Sequence, residues 1–297
     1  MKISGFSYVR NGVDYDYPFT QAIQSILPIC DEFIMVLGDS SDTSREAINA
    51  INSDKIRIVD TLWDMNNRKG GKVFAQQANV GLDHITGDWA FHIQADEVIH
   101  EKDLPKVLSA IKEYDSDERV EGLLFPFIHF WGGYDYVRNT RRVHKNEVRV
   151  LRNKGVIRSY RDSQGFRKYT SVEGYEKGEK GEKLRVKKVD APVYHYNGVR
   201  STEVQKKKVN TFISMYTPDM PFAAEKQATF DYNQVDRVEK FKGTHPSLML
   251  DRVKNFNQPF IFDPKKAKWR TKDRLIQPLE DILGFKFGEY KNYKLLK

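Results

Sequence analysis

From its first residues this chain alternates short apolar runs with amphipathic segments, and that alternation constrains its fold more than any other feature. KISGFSYV (2–9) reads as a strand. A helix follows, with Pro18 in its first turn and Pro28 near its end, and DEFIMVLG (31–38) is the second strand. GDSSDTS turns the chain and offers Ser and Asp caps to the helix SREAINAIN, after which KIRIVDTLW (55–63) is a third strand. A helix over about 72–85 leads into WAFHIQADEVIH (89–100), and another spans about 104–114. Strands separated by helices imply βαβ crossovers, so the predicted fold is α/β, with a Rossmann-like, mostly parallel central sheet flanked by helices. In such sheets ligands bind beyond the carboxyl ends of the strands, which places the loops at Arg10, Asp39, Asp64 and Asp96 on one face.

The regular alternation stops after residue 121. GLLFPFIHFWGGYDY, the basic stretch VRNTRRVHKNEVRVLRN and the lysine- and glycine-rich segment 175–188 read as strands and loops that complete a site, up to Asn197. Residues 200–297 read as a mainly helical or irregular C-terminal region. A chain of 297 residues with 12% aromatic content can bury a substantial core. The formal charge of +8 favours anionic partners such as nucleotides, phosphates or acidic membranes. Cys30 stands alone, which excludes an internal disulfide and a thiolate zinc site and points to a reducing, cytoplasmic setting. The N-terminus lacks the pattern of a signal peptide and no run reaches membrane-spanning length, so any membrane association is expected to be peripheral, through basic tail residues such as Lys291, Lys294 and Lys297.

At the end of the WAFHI strand stand two adjacent carboxylates, Asp96 and Glu97. Carboxylate oxygens with phosphate oxygens and water are the preferred ligands of Mg²⁺ or Mn²⁺, so the pair is a candidate metal site; the alternative is an acidic turn in which Glu97 or Asp103 caps the next helix. His195 stands in the apolar run VYHYNGVR, where packing between Tyr194 and Tyr196 with backbone partners is one reading.

These stretches, in this order, resemble family 2 glycosyltransferases, nucleotide-sugar-dependent enzymes of the GT-A fold. FSYVRNG (6–12) looks like that family's first-strand exit, SSDTSRE (40–46) is similar to its STDGTRE turn, and GGKVFAQQANVGLDHITGDWAFHIQADE (70–97) resembles the run that ends in DAD or DADE. The resemblance covers roughly the first two hundred residues. It implies a GT-A domain over 1–199, with a nucleotide-sugar half at about 1–100, an acceptor half at about 101–199, and a helical extension at 200–297. It implies donor contacts from Ser7, Tyr8, Val9, Arg10 and Asn11, from Asp39, Asp42 and Asp64, and from Lys72, Gln76, Gln94 and Ala95. The metal, Mn²⁺ or Mg²⁺, would rest on Asp96, Glu97 and His195. Two positions depart from the family pattern: Gln94 stands where the first motif aspartate is usual, and Leu37 aligns with the nucleobase-reading aspartate unless a small gap brings Asp39 into place.

The reaction implied is inverting transfer of a sugar, of hexosyl type, from a nucleoside diphosphate (UDP or GDP) to a saccharide or glycoconjugate hydroxyl, as in polysaccharide or glycoconjugate synthesis. Such a hydroxyl needs a general base. SYRDSQGFRK (159–168) resembles the place where related transferases carry that acid, which makes Asp162 the first candidate and Asp135 and Glu173 the alternatives. Two other readings are a sugar- or nucleotide-binding protein impaired in catalysis through Gln94, and a nucleic-acid-binding protein. Scattered basic residues without a nucleic-acid motif disfavour the latter, and the absence of GxxxxGK[ST] and GxGxxG disfavours nucleotide hydrolysis and dinucleotide redox chemistry.

Overall fold

The structure, a computed structural model, describes residues 1–217 and 229–297. The segment 218–228 of the expected C-terminal region lies outside the described residues. The N-terminal part runs β1 (Ile3–Val9), α1 (Phe19–Ile26), β2 (Glu32–Leu37), α2 (Ser44–Asn49), β3 (Ile56–Asp60), α3 (Lys72–His84) and β4 (Trp89–His92). Then come β5 (Glu97–Ile99), α4 (Leu104–Tyr114), β6 (Gly122–Trp131), β7 (Tyr136–Arg138), β8 (Asn146–Arg152), β9 (Ile157–Ser159), β10 (Phe166–Lys168), α5 (Val172–Glu176), β11 (Glu182–Lys188) and β12 (Val193–Gly198). The chain ends with α6 (Thr202–Tyr216), β13 (Glu239–Lys240), α7 (Leu250–Asn255), α8 (Thr271–Leu283) and β14 (Tyr293–Leu295).

The class is mixed α/β, and the central sheet has the order β3-β2-β1-β4-β8-β6-β11-β10-β9. Its first four strands are parallel, as the βαβ reading requires, while β8 joins antiparallel between β4 and β6. Successive side chains of a strand face opposite sides, and in β2 both sides are buried. Phe33, Met35 and Leu37 enter one core cluster, with Phe19 and Ile23 of α1 and Val107 and Ile111 of α4; Ile34 and Val36 enter the other, with Ala78 and Leu82 of α3. Helices therefore cover both faces, and each large apolar side chain so buried contributes about 1.5–3 kcal/mol relative to exposure.

Two features position the site. Register pairs Phe6 with His92, Val9 with Leu37, and Leu37 with Asp60, so the carboxyl ends of the parallel strands lie along one edge. The long β6 is shared: its first half pairs with β8 and β11, its second with β12 and β7. β12 in turn pairs antiparallel with β5, setting His195 opposite Glu97, and the Tyr196 N–H donates to the Asp96 carbonyl at 2.8 Å. That pairing delivers a histidine from a distant part of the chain to the end of β4. Beyond residue 200 the chain is helical but also returns to the sheet, where β14 pairs parallel with β11.

Candidate functional site

A cavity of about 210 Å³ opens at the carboxyl edge of the parallel strands. Its floor is the exits of β1 (Tyr8, Val9, Arg10, Asn11) and β4 (Gln94, Ala95, Asp96), with His195 and Asn197 from β12. Trp63 and Phe74 form an aromatic wall with Phe212 of α6: Trp63 meets Phe74 edge-on at 5.7 Å between centroids, and Phe74 stacks on Phe212 at 5.4 Å. A Cβ at position 38 would collide with the Trp63 indole, so Gly38 is what lets that ring lie against the end of β2.

Asp96 is the centre of the charge pattern. It is 8% exposed; Lys208 Nζ donates to its Oδ2 at 3.1 Å, and His195 Nε2 faces its Oδ1 at 3.6 Å. Burial alone would raise this carboxyl, but the Lys208 ammonium and the His195 ring outweigh that and hold it well below the usual carboxylate range. Lys208, also buried, donates to Asn197 Oδ1 and lies 4.7 Å from the Tyr17 ring centroid. Burial first, then the neighbouring Arg200 charge, pull its pKa down to about 7 against the opposing effect of Asp96. Arg200 is fully buried and sits 5.1 Å from the same Tyr17 ring, with Nε and Nη2 unpartnered among the described residues. Two buried cations thus surround one buried carboxylate, a balance that suits an anionic ligand.

The histidine behind Asp96 has a defined tautomer chain. His129 Nε2 reaches the His144 carbonyl at 2.7 Å, an acceptor, so this nitrogen carries the proton. Burial, then the charge of His195, pull His129 down to about 3, so the ring is neutral and its Nδ1 accepts. His195 Nδ1, at 2.8 Å, must then donate, which orients His195 with Nε2 toward Asp96.

Asp162, in the β9–β10 turn, also lines the cavity. Its neighbours Arg161 and Ser163 adopt positive φ, 56° and 67°, so the turn is held in a conformation few side chains favour. The Tyr216 hydroxyl donates to Asp162 Oδ2, and burial, then that hydrogen bond and the Asp162 charge, raise the Tyr216 phenol and keep its proton in place. Asp162 Oδ1 is buried and has no partner among the described residues. The turn rests on Gly71, at φ 72°, where a Cβ would come within 2.6 Å of Asp162 Cβ.

The other sequence candidates divide. Tyr8, Val9, Arg10, Asn11, Gln94, Ala95, Asp96, Asp162 and His195 share the cavity. Asp39 is outside it but takes Arg10 Nη2 at 2.9 Å and the Trp63 backbone N–H at 3.3 Å, so it positions two residues that line it. Asp42 accepts the backbone N–H groups of Asp14 at 2.9 Å and Ser44 at 3.0 Å, and Asp64 accepts that of Asn66 at 3.0 Å; both shape turns. Ser7 is buried within β1, while Lys72 and Gln76 of α3 do not line the cavity. Asp135 and Glu173 are exposed and lie away from it. Lys208, Asn197, Tyr17, Trp63 and the α6 face were not anticipated. On α6, Lys208, Thr211, Phe212 and Met215 recur at the spacing of one helix face, and a lysine in line with Phe212 and Met215 was the available signal.

Glu97 requires a correction. It is fully buried, and its two oxygens take Arg149 Nε at 2.7 Å and Nη2 at 2.6 Å, with the Gln94 N–H at 3.1 Å. Asp96 lies in the turn that the Glu97 N–H closes on the Gln94 carbonyl at 3.0 Å, and Glu97 opens β5; across that turn Asp96 faces the cavity and Glu97 enters the core. Glu97→Gln should therefore cost about 3–5 kcal/mol in urea unfolding by leaving Arg149 buried and uncompensated. A metal ligand would instead change metal affinity with little effect on stability.

Among the described residues no group of three or more His, Cys, Asp or Glu side chains converges to hold a metal ion. The pair that remains, Asp96 and His195, offers a carboxylate oxygen and an imidazole nitrogen. Those donors fit a Mn²⁺ or Mg²⁺ ion whose other positions are filled by ligand phosphates and water. Lys208 already occupies one Asp96 oxygen.

No protein-family model matches the chain, and no curated protein does. Solved structures resemble it in part. Staphylococcus aureus TarS residues 1–349 matches at 13% identity over 75% of this chain and 67% of that one, with a TM-score of 0.38. TarS 1–349 in complex with UDP matches at 20% identity over 44% of this chain and 36% of that one, with a TM-score of 0.31. Glucosyl-3-phosphoglycerate synthase from Mycobacterium tuberculosis, in complex with Mn²⁺, UDP and phosphoglyceric acid, matches at 20% identity over 44% of each chain, with a TM-score of 0.31. The chain thus spans less than half the length of either of these two ligand-bound proteins.

Proposed function

We propose that this chain is a GT-A glycosyltransferase of the family 2 type, transferring a sugar from a nucleoside diphosphate to an acceptor hydroxyl with inversion. The carrying observation is one cavity at the carboxyl edge of a parallel sheet that holds both a cation-flanked carboxylate, Asp96, and a separate carboxylate with an unpartnered oxygen, Asp162. Lys208, with Arg200 behind it, supplies positive charge for the diphosphate, and the Trp63–Phe74 wall offers flat faces for a base or sugar. Asp96 and His195 would hold the divalent cation, which when bound supplies Lewis acidity to the departing diphosphate.

In this reading the chain's own groups do the rest. Asp162 Oδ1 accepts the proton of the acceptor hydroxyl, while the Tyr216 O–H keeps Oδ2 engaged and the carboxylate aimed. Arg10, fixed by Asp39, borders the nucleoside end of the cavity. UDP and GDP are the donor nucleotides to test first, and the acceptor is a saccharide or glycoconjugate. Domain limits of 1–199 and 200–297 belong to this proposal, although α6 from the second segment supplies Lys208.

The test is a melting curve with UDP and with GDP, each with Mn²⁺. A nucleotide at a hundred times its Kd should add about 2.7 kcal/mol of stability and raise the melting temperature. If neither nucleotide shifts it, the reading fails. Gln94 and the Lys208 contact on Asp96 favour one second reading, a nucleotide-sugar-binding protein without turnover. It predicts the same shift with no release of nucleoside diphosphate from any donor sugar.

A further inference from the structure

Helix α8 is built inside out. Its polar side chains Asp273, Gln277 and Glu280 fall on one face and are buried. They hold Arg141 there: Nη1 lies 2.8 Å from Asp273 Oδ1, Nε 3.3 Å from Glu280 Oε1, and the backbone N–H donates to Gln277 Oε1 at 2.7 Å. The apolar stripe faces outward. Leu275 is 70% exposed, Leu279 53%, Ile282 80% and Leu283 52%, at the spacing of a single helical face. Gly284, at φ 73°, ends the helix in the left-handed conformation, and exposed Phe285 and Phe287 prolong the apolar surface. A single exposed leucine needs no explanation, but a contiguous stripe held outward by a buried polar face marks an interaction surface.

Charge identifies what covers it. Lys265, Lys266, Lys268, Arg270, Lys272 and Arg274, all exposed, lead into and open the helix. The helix's own acids are committed elsewhere, Asp273 and Glu280 to Arg141 and Asp281 to Arg237. A second copy would bring its basic run to a surface whose helix acids are already neutralised. No described helix is long and apolar enough to cross a membrane. An apolar stripe joined to a basic flank is the pattern of a helix lying in the plane of an anionic bilayer, with leucines among the acyl chains and lysines at the headgroups.

We propose that α8 and the aromatic residues after Gly284 seat this protein on an anionic membrane surface. The proposal does not depend on the reading of the cavity. It is tested by co-sedimentation of the full chain with phosphatidylcholine vesicles, with and without phosphatidylglycerol, at low and high salt. The expected result is sedimentation with the anionic vesicles only, reversed by salt. Ile282→Glu should weaken it about tenfold or more, and Lys272→Glu with Arg274→Glu by a similar factor. Leu275→Ser is the second apolar variant. These side chains are exposed, so an unchanged melting temperature shows that each variant is folded. Failure to sediment with anionic vesicles overturns the proposal, as does sedimentation indifferent to both apolar variants. So does a stable dimer in light scattering that Ile282→Glu dissociates while vesicles remain unbound, because a second copy then covers the stripe.

Discussion

On the proposed glycosyltransferase reading, Asp96→Asn should abolish measurable transfer, lowering turnover by about a thousandfold or more, because it removes the carboxylate which that reading sets beside the donor diphosphate. It should also destabilise the protein. Asp96 and Lys208 are 8% and 5% exposed, so the substitution strands a buried lysine and would cost about 3 kcal/mol, the lower end for a broken buried pair. The lower end applies because burial already draws Lys208 down to about 7, which lets it shed its proton when its partner is gone. The two effects separate in the double variant: Asp96→Asn with Lys208→Met should recover much of the stability and none of the activity. Recovery of turnover in that background would mean that Asp96 serves the fold alone.

The same residue sets a pH dependence. The Asp96 carboxyl lies well below its ordinary value in the folded protein, so the unfolded chain binds the extra proton first as pH falls. Its contribution is present above about pH 4, the ordinary carboxylate value, and is lost progressively below it. Acid unfolding of Asp96→Asn should therefore show a shallower slope below about pH 4 than the parent chain.

Asp162→Asn should lower turnover by about a hundred- to ten-thousandfold while leaving nucleoside-diphosphate binding and the melting temperature near those of the parent. The asymmetry follows from its surroundings. One oxygen is bonded to the Tyr216 hydroxyl, and the other is buried without a described partner, so its loss breaks little that holds the fold. Tyr216→Phe should give a smaller decrease, by releasing the aim of the carboxylate rather than removing it. Single-turnover kinetics with titrated donor separate chemistry from binding. A loss confined to donor affinity would place Asp162 with the donor and leave the base to another group.

What was legible before the structure is mostly local. The parallel strands β1, β2, β3 and β4 and helices α3 and α4 follow from periodicity, and the gathering of Arg10 and Asp96 at one edge follows from their positions at strand ends. His195 was visible as a histidine in an apolar run, but its place depends on β12, in which it lies, pairing with β5. Glu97 was misread because adjacency in sequence suggested a shared target, whereas a turn separates the two: Asp96 faces the cavity and Glu97, opening β5, meets Arg149. Asp135 and Glu173 were plausible by residue type and lie elsewhere because their turn and short helix point to solvent.

Sequence by itself determined the α/β alternation, the helix-covered sheet and the strand end at which Asp96 emerges, since each depends on spacings within a few residues. Tertiary structure alone decided which charges meet. Lys208 reaches Asp96 across 112 residues, and Arg149 takes Glu97 across 52. Whether a buried carboxylate is a ligand or a structural anchor depends on the cation packed against it. No local pattern encodes that partner, because it is chosen by how distant segments fill the same desolvated space.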